Sequence, residues 1–382
     1  MPWPLTEEQR MIQLMVREFT RKEIEPEAAE NDRQGRFPTE ILAKMGELGL
    51  MGMMVPARYG GAEVGAVSYS LALQEIAYAC ASTAVIMSVN NLTCEPLLLF
   101  GDEEQKGAWL PSLASGDGLG AFALTEPEAG SDPGSLRTQA RRIGQGYQIT
   151  GSKVFITNGA HADTVVLVAR TSQEGGKKAL SAFLIPRTTP GLKVGPEEDK
   201  MGLHASSTVP LTLEDCPVPP EQRIGQEGDG FRIAMAALDG GRIGIASQAT
   251  GIGQACLDEA ARYSKQRKQF GRFLSTFQAL SWMIADTATE LEAARLLTLQ
   301  AAHQKDLGLP FTREASIAKL YASEMANRAA YRALQIHGGY GYTRHYKVER
   351  LYRDARVTTL YEGTSEVQRI VISREELRNL PG

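Results

Sequence analysis

The chain has 382 residues, which at roughly 150 residues per domain allows two or three domains, each with its own core. Hydrophobic residues make up 43% and charged residues 23%, and 41 Lys plus Arg stand against 45 Asp plus Glu, a formal net charge of −4. That is the balance of an ordinary globular protein, and it lacks the concentrated positive field that nucleic-acid phosphates require, so nucleic acid is set aside as a partner.

The first stretch of about 115 residues reads as helical. Thr6 with Gln9 makes a capping box, and Met11, Ile12, Met15, Val16 and Phe19 recur at helical spacing until Pro26. Further helices are expected over 39–48, ended by Gly49, and around 68–78 and 82–100, with Asp102 capping one more that runs to Leu113 and stops at Ser115-Gly116. The texture changes near residue 120. Runs rich in β-formers at 120–124, 147–156, 164–169, 179–185 and 209–213 are separated by Gly, Pro, Asp and Asn clusters, which predicts an antiparallel β-domain. No helices alternate with these strands, so a doubly wound parallel sheet is not expected. After Gly225-Gln226-Glu227-Gly228, helical patterns at 231–264, 276–307 and 313–336 are long enough for an up-down bundle, followed by a shorter helix near 348–356 and a last one from Ser365. The expected organisation is three domains: 1–119 helical, 120–228 β, and 229–382 a four-helix bundle.

The four cysteines, at 80, 94, 216 and 256, form no CxxC and have no histidine partner, so they read as reduced thiols in a cytoplasmic protein. The start has neither a basic region nor an apolar leader. The uncharged stretch 76–94 is long enough to span a bilayer, but it carries Ser82, Thr83, Ser88, Asn90, Asn91 and Thr93, which hydrocarbon disfavours; a buried helix is expected and no membrane partner.

Four segments hold residues suited to chemistry. The loop Ala123-Leu124-Thr125-Glu126-Pro127-Glu128-Ala129-Gly130-Ser131-Asp132-Pro133-Gly134-Ser135 packs hydroxyls, glycines and acids together; it is either a surface loop or a backbone cradle for a polar ring or phosphate. Gln335-Ile336-His337-Gly338-Gly339-Tyr340-Gly341-Tyr342 closes a long helix, where a C-cap accounts for one glycine and the surplus points to close backbone approach. Neither this segment nor Gly251-Ile252-Gly253, with Cys256 where the last glycine would stand, fits a dinucleotide fingerprint. In Leu360-Tyr361-Glu362-Gly363-Thr364-Ser365-Glu366, Glu362 is either a capping-region acid or a carboxylate whose basicity is raised by apolar surroundings. Lys265-Gln266-Arg267-Lys268-Gln269-Phe270-Gly271-Arg272 is either a solvated cationic face or a pyrophosphate site. The five histidines show no ligand spacing, no metal site is expected, and no hydrolase or NTPase motif occurs.

Taken in order, these segments resemble the acyl-CoA dehydrogenases, most closely the short-chain (butyryl-CoA) group. The likeness also takes in Leu50-Met51-Gly52-Met53-Met54-Val55-Pro56, Ser88-Val89-Asn90-Asn91 and 151–158. The 123–135 loop matches the first family signature throughout. The segment 335–354 matches the second, except that His345 replaces an acid or amide and Lys347 follows where proline is common.

The resemblance implies a mainly α fold with an antiparallel middle β-domain, a homotetramer, and FAD between the β-domain and the bundle. It places Phe122, Leu124, Thr125, Gly130 and Ser131 along the flavin, with Thr125 on the pyrimidine edge, where negative charge gathers on reduction. Phe155, Ile156 and Thr157 would cover the other face, and Arg267, Gln269 and Gln278 would reach the cofactor of a neighbouring subunit. Gln335, Gly338, Gly339, Thr364, Ser365 and Glu366 would line the same cofactor, and Ser131, Asp239, Arg242, Tyr361 and Gly363 would contact acyl-CoA. Glu362 would remove the α-proton as the β-hydride passes to flavin N5, giving a trans-2-enoyl-CoA, with electron-transferring flavoprotein as acceptor. Relatives that carry the base on the preceding long helix would need it at Gly241, so their arrangement is disfavoured. An acyl-CoA oxidase on the same fold and a non-catalytic acyl-CoA or flavin-binding scaffold are the alternative readings.

Overall fold

The computed structural model describes residues 4–172 and 176–378; the first three residues and the last four of the expected bundle lie outside them. Helix α1 (Glu7–Phe19) starts at the expected capping box, Gln9 N donating to Thr6 Oγ1 at 3.2 Å and Thr6 N to Gln9 Oε1 at 3.0 Å. Pro26 does not stop the chain. A π-helical stretch, Thr20–Ile24, passes directly into α2 (Glu25–Gln34), and Pro26 falls in the first turn of that new helix, where a missing N–H costs nothing.

The rest of the first third is helical as expected. Helices α3 (Thr39–Glu47), α4 (Gly65–Ala79), α5 (Ala81–Phe100) and α6 (Glu103–Ser115) follow, the last capped by Asp102. The first turn of α4 is capped from far away in sequence: Ala66 N and Val67 N donate to Asp306 Oδ1 and Oδ2 at 2.5 and 3.0 Å. Helix α5 is long and apolar enough to cross a membrane, yet 83% of its apolar window is buried inside the protein. Its two asparagines are used up on neighbouring backbone. Asn90 donates to Met51 O and Leu113 O, both at 2.9 Å, and accepts from Gly120 N at 2.8 Å. Asn91 donates to Leu50 O and Met87 O and accepts from Met53 N. Buried amides satisfied in this way fix how α5, α6 and the first strand meet.

The middle third is one sheet built from β1 (Gly120–Ala123), β2 (Gln139–Ile143), β3 (Gly146–Thr157), β4 (Thr164–Arg170), β5 (Leu180–Pro186), β6 (Leu192–Val194), β7 (Thr208–Val218) and β8 (Arg223–Ile224). Its order is β6-β7-β3-β2-β4-β5-β8, with β1 also on β4. The antiparallel expectation needs one correction: β1 pairs with β4 in parallel, and β2 meets the same edge of β4 in parallel at Gln139 and Arg170. β1 is followed by the 123–135 loop and β2 by a hairpin, so the two take successive parts of that edge.

The last third comprises α7 (Gly230–Gln266), a hairpin of β9 (Lys268–Gln269) and β10 (Arg272–Phe273), α8 (Gln278–Asp306), α9 (Thr312–His337), α10 (Val348–Val357) and α11 (Ser365–Arg378). Buried alanines 315, 318, 322, 326, 329 and 330 on α9 keep that helix slim and let its neighbours approach. Gly251 does the same on α7: a methyl there would land on Gln74 O of α4. Helices α4 and α5 therefore share one core with the bundle, Val67, Leu71, Val85 and Val89 packing with Ile243, Ile252 and Met325.

Candidate active site

Glu362 stands in the tight link between α10 and α11, with φ 53°, and Gly363 follows with φ 88°. Two successive left-handed residues are costly for a glutamate and persist only where the surroundings fix them. Here they do. Gln368 Nε2 donates to Glu362 O at 3.1 Å and Gly363 O at 2.9 Å, and Lys319 Nζ donates to Gly363 O at 2.7 Å. Tyr361 hydroxyl donates to Gln248 Oε1.

The residue as a whole is half-buried, but its Oε2 is sealed from solvent and hydrogen-bonded to nothing among the described residues. A Cβ built on Gly241 of α7 would lie 2.7 Å from that oxygen and 3.3 Å from Leu92 Cδ1, so glycine is what leaves the carboxylate its place. Burial pushes the Glu362 carboxyl up to about 7, against the pull of Arg242 and Lys319. Beside it, Arg242 Nη1 donates to Asp239 Oδ1 at 2.5 Å and Ser316 Oγ at 3.2 Å, while Thr312 Oγ1 donates to Asp239 Oδ2 at 2.5 Å. Burial raises Asp239 and lowers Arg242, each opposed by the other's charge. Arg242 Nε is left buried without an acceptor among the described residues.

Two lysines in this network were not anticipated. Lys319 is fully buried and burial lowers it to about 8, partly offset by the Glu362 charge; it occupies one position of the α9 alanine stripe, which gave no sign of a buried cation. Lys305 pairs with the buried Glu95, and a Cβ on Gly240 would lie 2.9 Å from both.

A second group of expected residues gathers at the β1 end. Phe122, Leu124 and Thr125 lead into the 123–135 loop, and Val154 N donates to Thr125 O at 2.9 Å, tying the loop to β3. Gly130 and Ser131 are exposed on it. Phe155 has φ 58° at a bulge in β3 and is 63% exposed, an aromatic residue turned away from the core. Ile156 goes the other way: it is buried in the β core, with Thr157 half-buried beside it.

The third group lies on the bundle. Tyr263, Arg267, Gln269, Gln335, Gly338 and Gly339 line an open cleft of about 510 Å³ whose lining residues all come from the last third of the chain. The three glycines of 338–341 have different tasks. Gly338 caps α9 with φ 60°, a methyl on Gly341 would strike Leu334 O, and methyls on Gly338 and Gly339 would meet open space. Gln278, the first residue of α8, is exposed and does not line this cleft. Thr364 Oγ1 accepts from Val367 N at 3.3 Å, Glu366 is exposed, and Ser365 Oγ is sealed without a partner among the described residues. His345 is exposed, whereas Lys347 reaches Glu25 at 3.3 Å and lies 4.5 Å from the Tyr78 ring centroid, fastening the 338–347 loop to the first helices.

The donor set fits a flavin dinucleotide. The Thr125 N–H and hydroxyl meet no acceptor among the described residues, on the loop that follows β1 and near the exposed Phe155 of β3, and Arg267, 5.3 Å from the Tyr340 ring centroid, lines one open cleft with Gly338 and Gly339.

Fold and site together fit a flavin-dependent oxidoreductase. The chain belongs to the acyl-CoA dehydrogenase family, whose N-terminal, middle and C-terminal domain models match residues 6–117, 121–216 and 228–377, and with that family it is an FAD-dependent flavoprotein. It is 49% identical over 379 residues to the short-chain specific acyl-CoA dehydrogenase of Clostridium acetobutylicum, covering 99% of this chain and 100% of that one. Among solved structures, butyryl-CoA dehydrogenase from Megasphaera elsdenii superposes with a TM-score of 0.97 at 43% identity, over 99% of this chain and 100% of that chain. A chain in the structure described as the electron transferring flavoprotein of Acidaminococcus fermentans gives the same TM-score of 0.97 at 46% identity, with coverage of 99% and 100%.

Proposed function

We propose that this enzyme dehydrogenates a short-chain acyl-CoA to the trans-2-enoyl-CoA, with Glu362 as the base for the α-proton and an electron-transferring flavoprotein as acceptor. The observation that carries the proposal is the Glu362 carboxylate, with one oxygen sealed and unpartnered against Gly241. FAD, when bound, supplies the acceptor for the electron pair that leaves the β-carbon.

The protein's own part is to hold, orient and deprotonate. A thioester α-proton is weakly acidic, so its removal needs a base of matched strength and donors for the developing enolate oxygen. A carboxyl raised to about 7 is such a base near neutral pH. The Glu362 N–H meets no acceptor among the described residues, and the positive φ that frees it is fixed by Gln368 and Lys319. Asp239, Arg242, Ser131, Tyr361 and Gly363 are assigned to the acyl-CoA. The flavin half is assigned to Phe122, Leu124, Thr125, Gly130, Ser131, Phe155, Ile156 and Thr157, with Gln335, Gly338, Gly339, Thr364, Ser365 and Glu366. Arg267, Gln269 and Gln278 are assigned to the cofactor of a neighbouring subunit.

The reading divides the chain at 1–119, 120–228 and 229–382 and takes it as a cytoplasmic homotetramer, which its four buried, unpaired cysteines suit. The short-chain preference is supported by the relatives named for short-chain and butyryl-CoA substrates, and the acceptor by the Acidaminococcus structure. Anaerobic titration with butyryl-, hexanoyl-, octanoyl-, isobutyryl- and isovaleryl-CoA tests it. Rapid bleaching of the oxidised flavin by butyryl-CoA is expected. A dithionite-reducible flavin that no acyl-CoA bleaches would overturn the proposal, and stoichiometric peroxide in air would move the enzyme to the oxidases.

A further inference from the structure

Beneath the 123–135 loop lies a buried ion pair that the proposed reaction does not use. Lys153 of β3 is fully buried, and its Nζ donates to Glu126 Oε1 at 2.7 Å and to Leu124 O at 3.0 Å. Glu126 is 6% exposed and accepts in addition from Arg137 N at 2.6 Å and Thr138 N at 3.1 Å. Every strong group of the pair is therefore satisfied, and the pair clamps both ends of the loop, 124–126 and 137–138, onto β3. A buried ion pair contributes little net stability compared with apolar packing, so its retention calls for another reason.

The place of Lys153 supplies one. Its ammonium binds the carbonyl of the Leu124–Thr125 peptide, and the N–H of that same peptide, Thr125 N–H, meets no acceptor among the described residues. Drawing electron density toward the carbonyl strengthens the N–H as a donor. We propose that Lys153, held by Glu126, is a positioning residue that presents the Thr125 N–H to the flavin pyrimidine edge and biases the cofactor toward its reduced, more negative form. This rests on the assignment of Thr125 to that edge.

The test is the two-electron midpoint potential of the bound flavin, measured by dye-calibrated anaerobic reduction without acyl-CoA at pH 7, where Lys153, lowered by burial to about 8, keeps its proton, together with FAD dissociation constants. Lys153→Met removes the ammonium from Leu124 O and leaves Glu126, which Lys153 does most to hold below the usual carboxylate range against burial, with only the hydrogen bonds from Arg137 N and Thr138 N. A hydrogen bond from a charged donor is worth on the order of tenfold or more. Reduced FAD should accordingly bind about tenfold more weakly relative to oxidised FAD, a potential lower by about 30 mV. The double variant Lys153→Met/Glu126→Gln, which also lacks the ammonium on Leu124 O but carries no uncompensated carboxylate, should keep most of that deficit. If Lys153→Met does not fold by circular dichroism, Lys153→Gln, which keeps a donor and removes the charge, carries the same expectation. An unchanged potential in the single variant, or a double variant back at the wild-type potential, would reduce the pair to a structural clamp. Wild-type protein that holds no FAD would overturn the Thr125 assignment as well, which separates the two failures.

Discussion

Glu362 and Gly241 share one space: a methyl group on Gly241 would sit 2.7 Å from Glu362 Oε2 and 3.1 Å from its Cδ. Gly241→Ala should therefore displace the carboxylate. Alanine is favoured over glycine within a helix by roughly 0.5–1 kcal/mol, so the fold gains locally what the clash takes away. The expected result is near-unchanged thermal stability and FAD content with flavin reduction by acyl-CoA slowed at least about tenfold, since small displacements of a base are severe. Unslowed reduction in stopped flow would show that the carboxylate does not react from this position.

Glu362→Gln should retain FAD and acyl-CoA binding but lose about 10²–10⁴-fold in the rate of flavin reduction. The same substitution has a stability signature. The folded carboxyl is raised to about 7 from 4.5, so between those values the folded protein holds a proton that the unfolded chain has released. Stability must then fall as pH rises from about 4.5 through 7, by on the order of 3 kcal/mol before discounting for relaxation. The Gln variant should lack that fall, and urea titrations at pH 5 and 8 would reveal it.

Lys319→Met removes the cation that faces Glu362 and the bond to Gly363 O. The Glu362 carboxyl should rise further, so the pH profile of flavin reduction should move to higher pH, with the loss at neutrality partly recovered in alkaline buffer. A profile that only drops in amplitude would assign Lys319 to structure alone.

Arg267→Ala should lower FAD retention on gel filtration far more than it alters reduction of the flavin that remains bound, because Arg267 lies on the open cleft away from Glu362. Full retention would return the residue to a solvated face.

Asp306→Ala should cost about 1 kcal/mol, as lost helix caps do, since Asp306 receives the first N–H groups of α4. Urea denaturation of the holoenzyme would measure it.

Periodicity and caps made the helices legible, because the Thr6/Gln9 box and the Asp102 cap are local signals. Pro26 misled because the π-helical stretch before it reset the helix, and nothing in residues 20–24 announces that. Strand β2 (Gln139–Ile143) was missed since one of its five residues is buried, and β6 since it has three residues. The parallel pairing of β1 with β4 is a tertiary fact that no run of residues encodes. At the site, motif order singled out Glu362, Asp239 and Arg242, which the fold gathers. It passed over Lys153 and Lys319, because a lone lysine in an apolar run reads as exposed until its buried partners, Glu126 and Gly363 O, are known.

The Asp306 cap on α4 spans 240 residues, and the core it adjoins joins Val67 and Val85 to Ile252 and Met325. During synthesis, then, the first helices leave the ribosome with a wet apolar face and an unfinished helix start, and they wait for most of the chain before either is closed. A fragment ending near residue 119 would keep that face open, so it should collapse loosely or aggregate rather than fold as a free-standing unit.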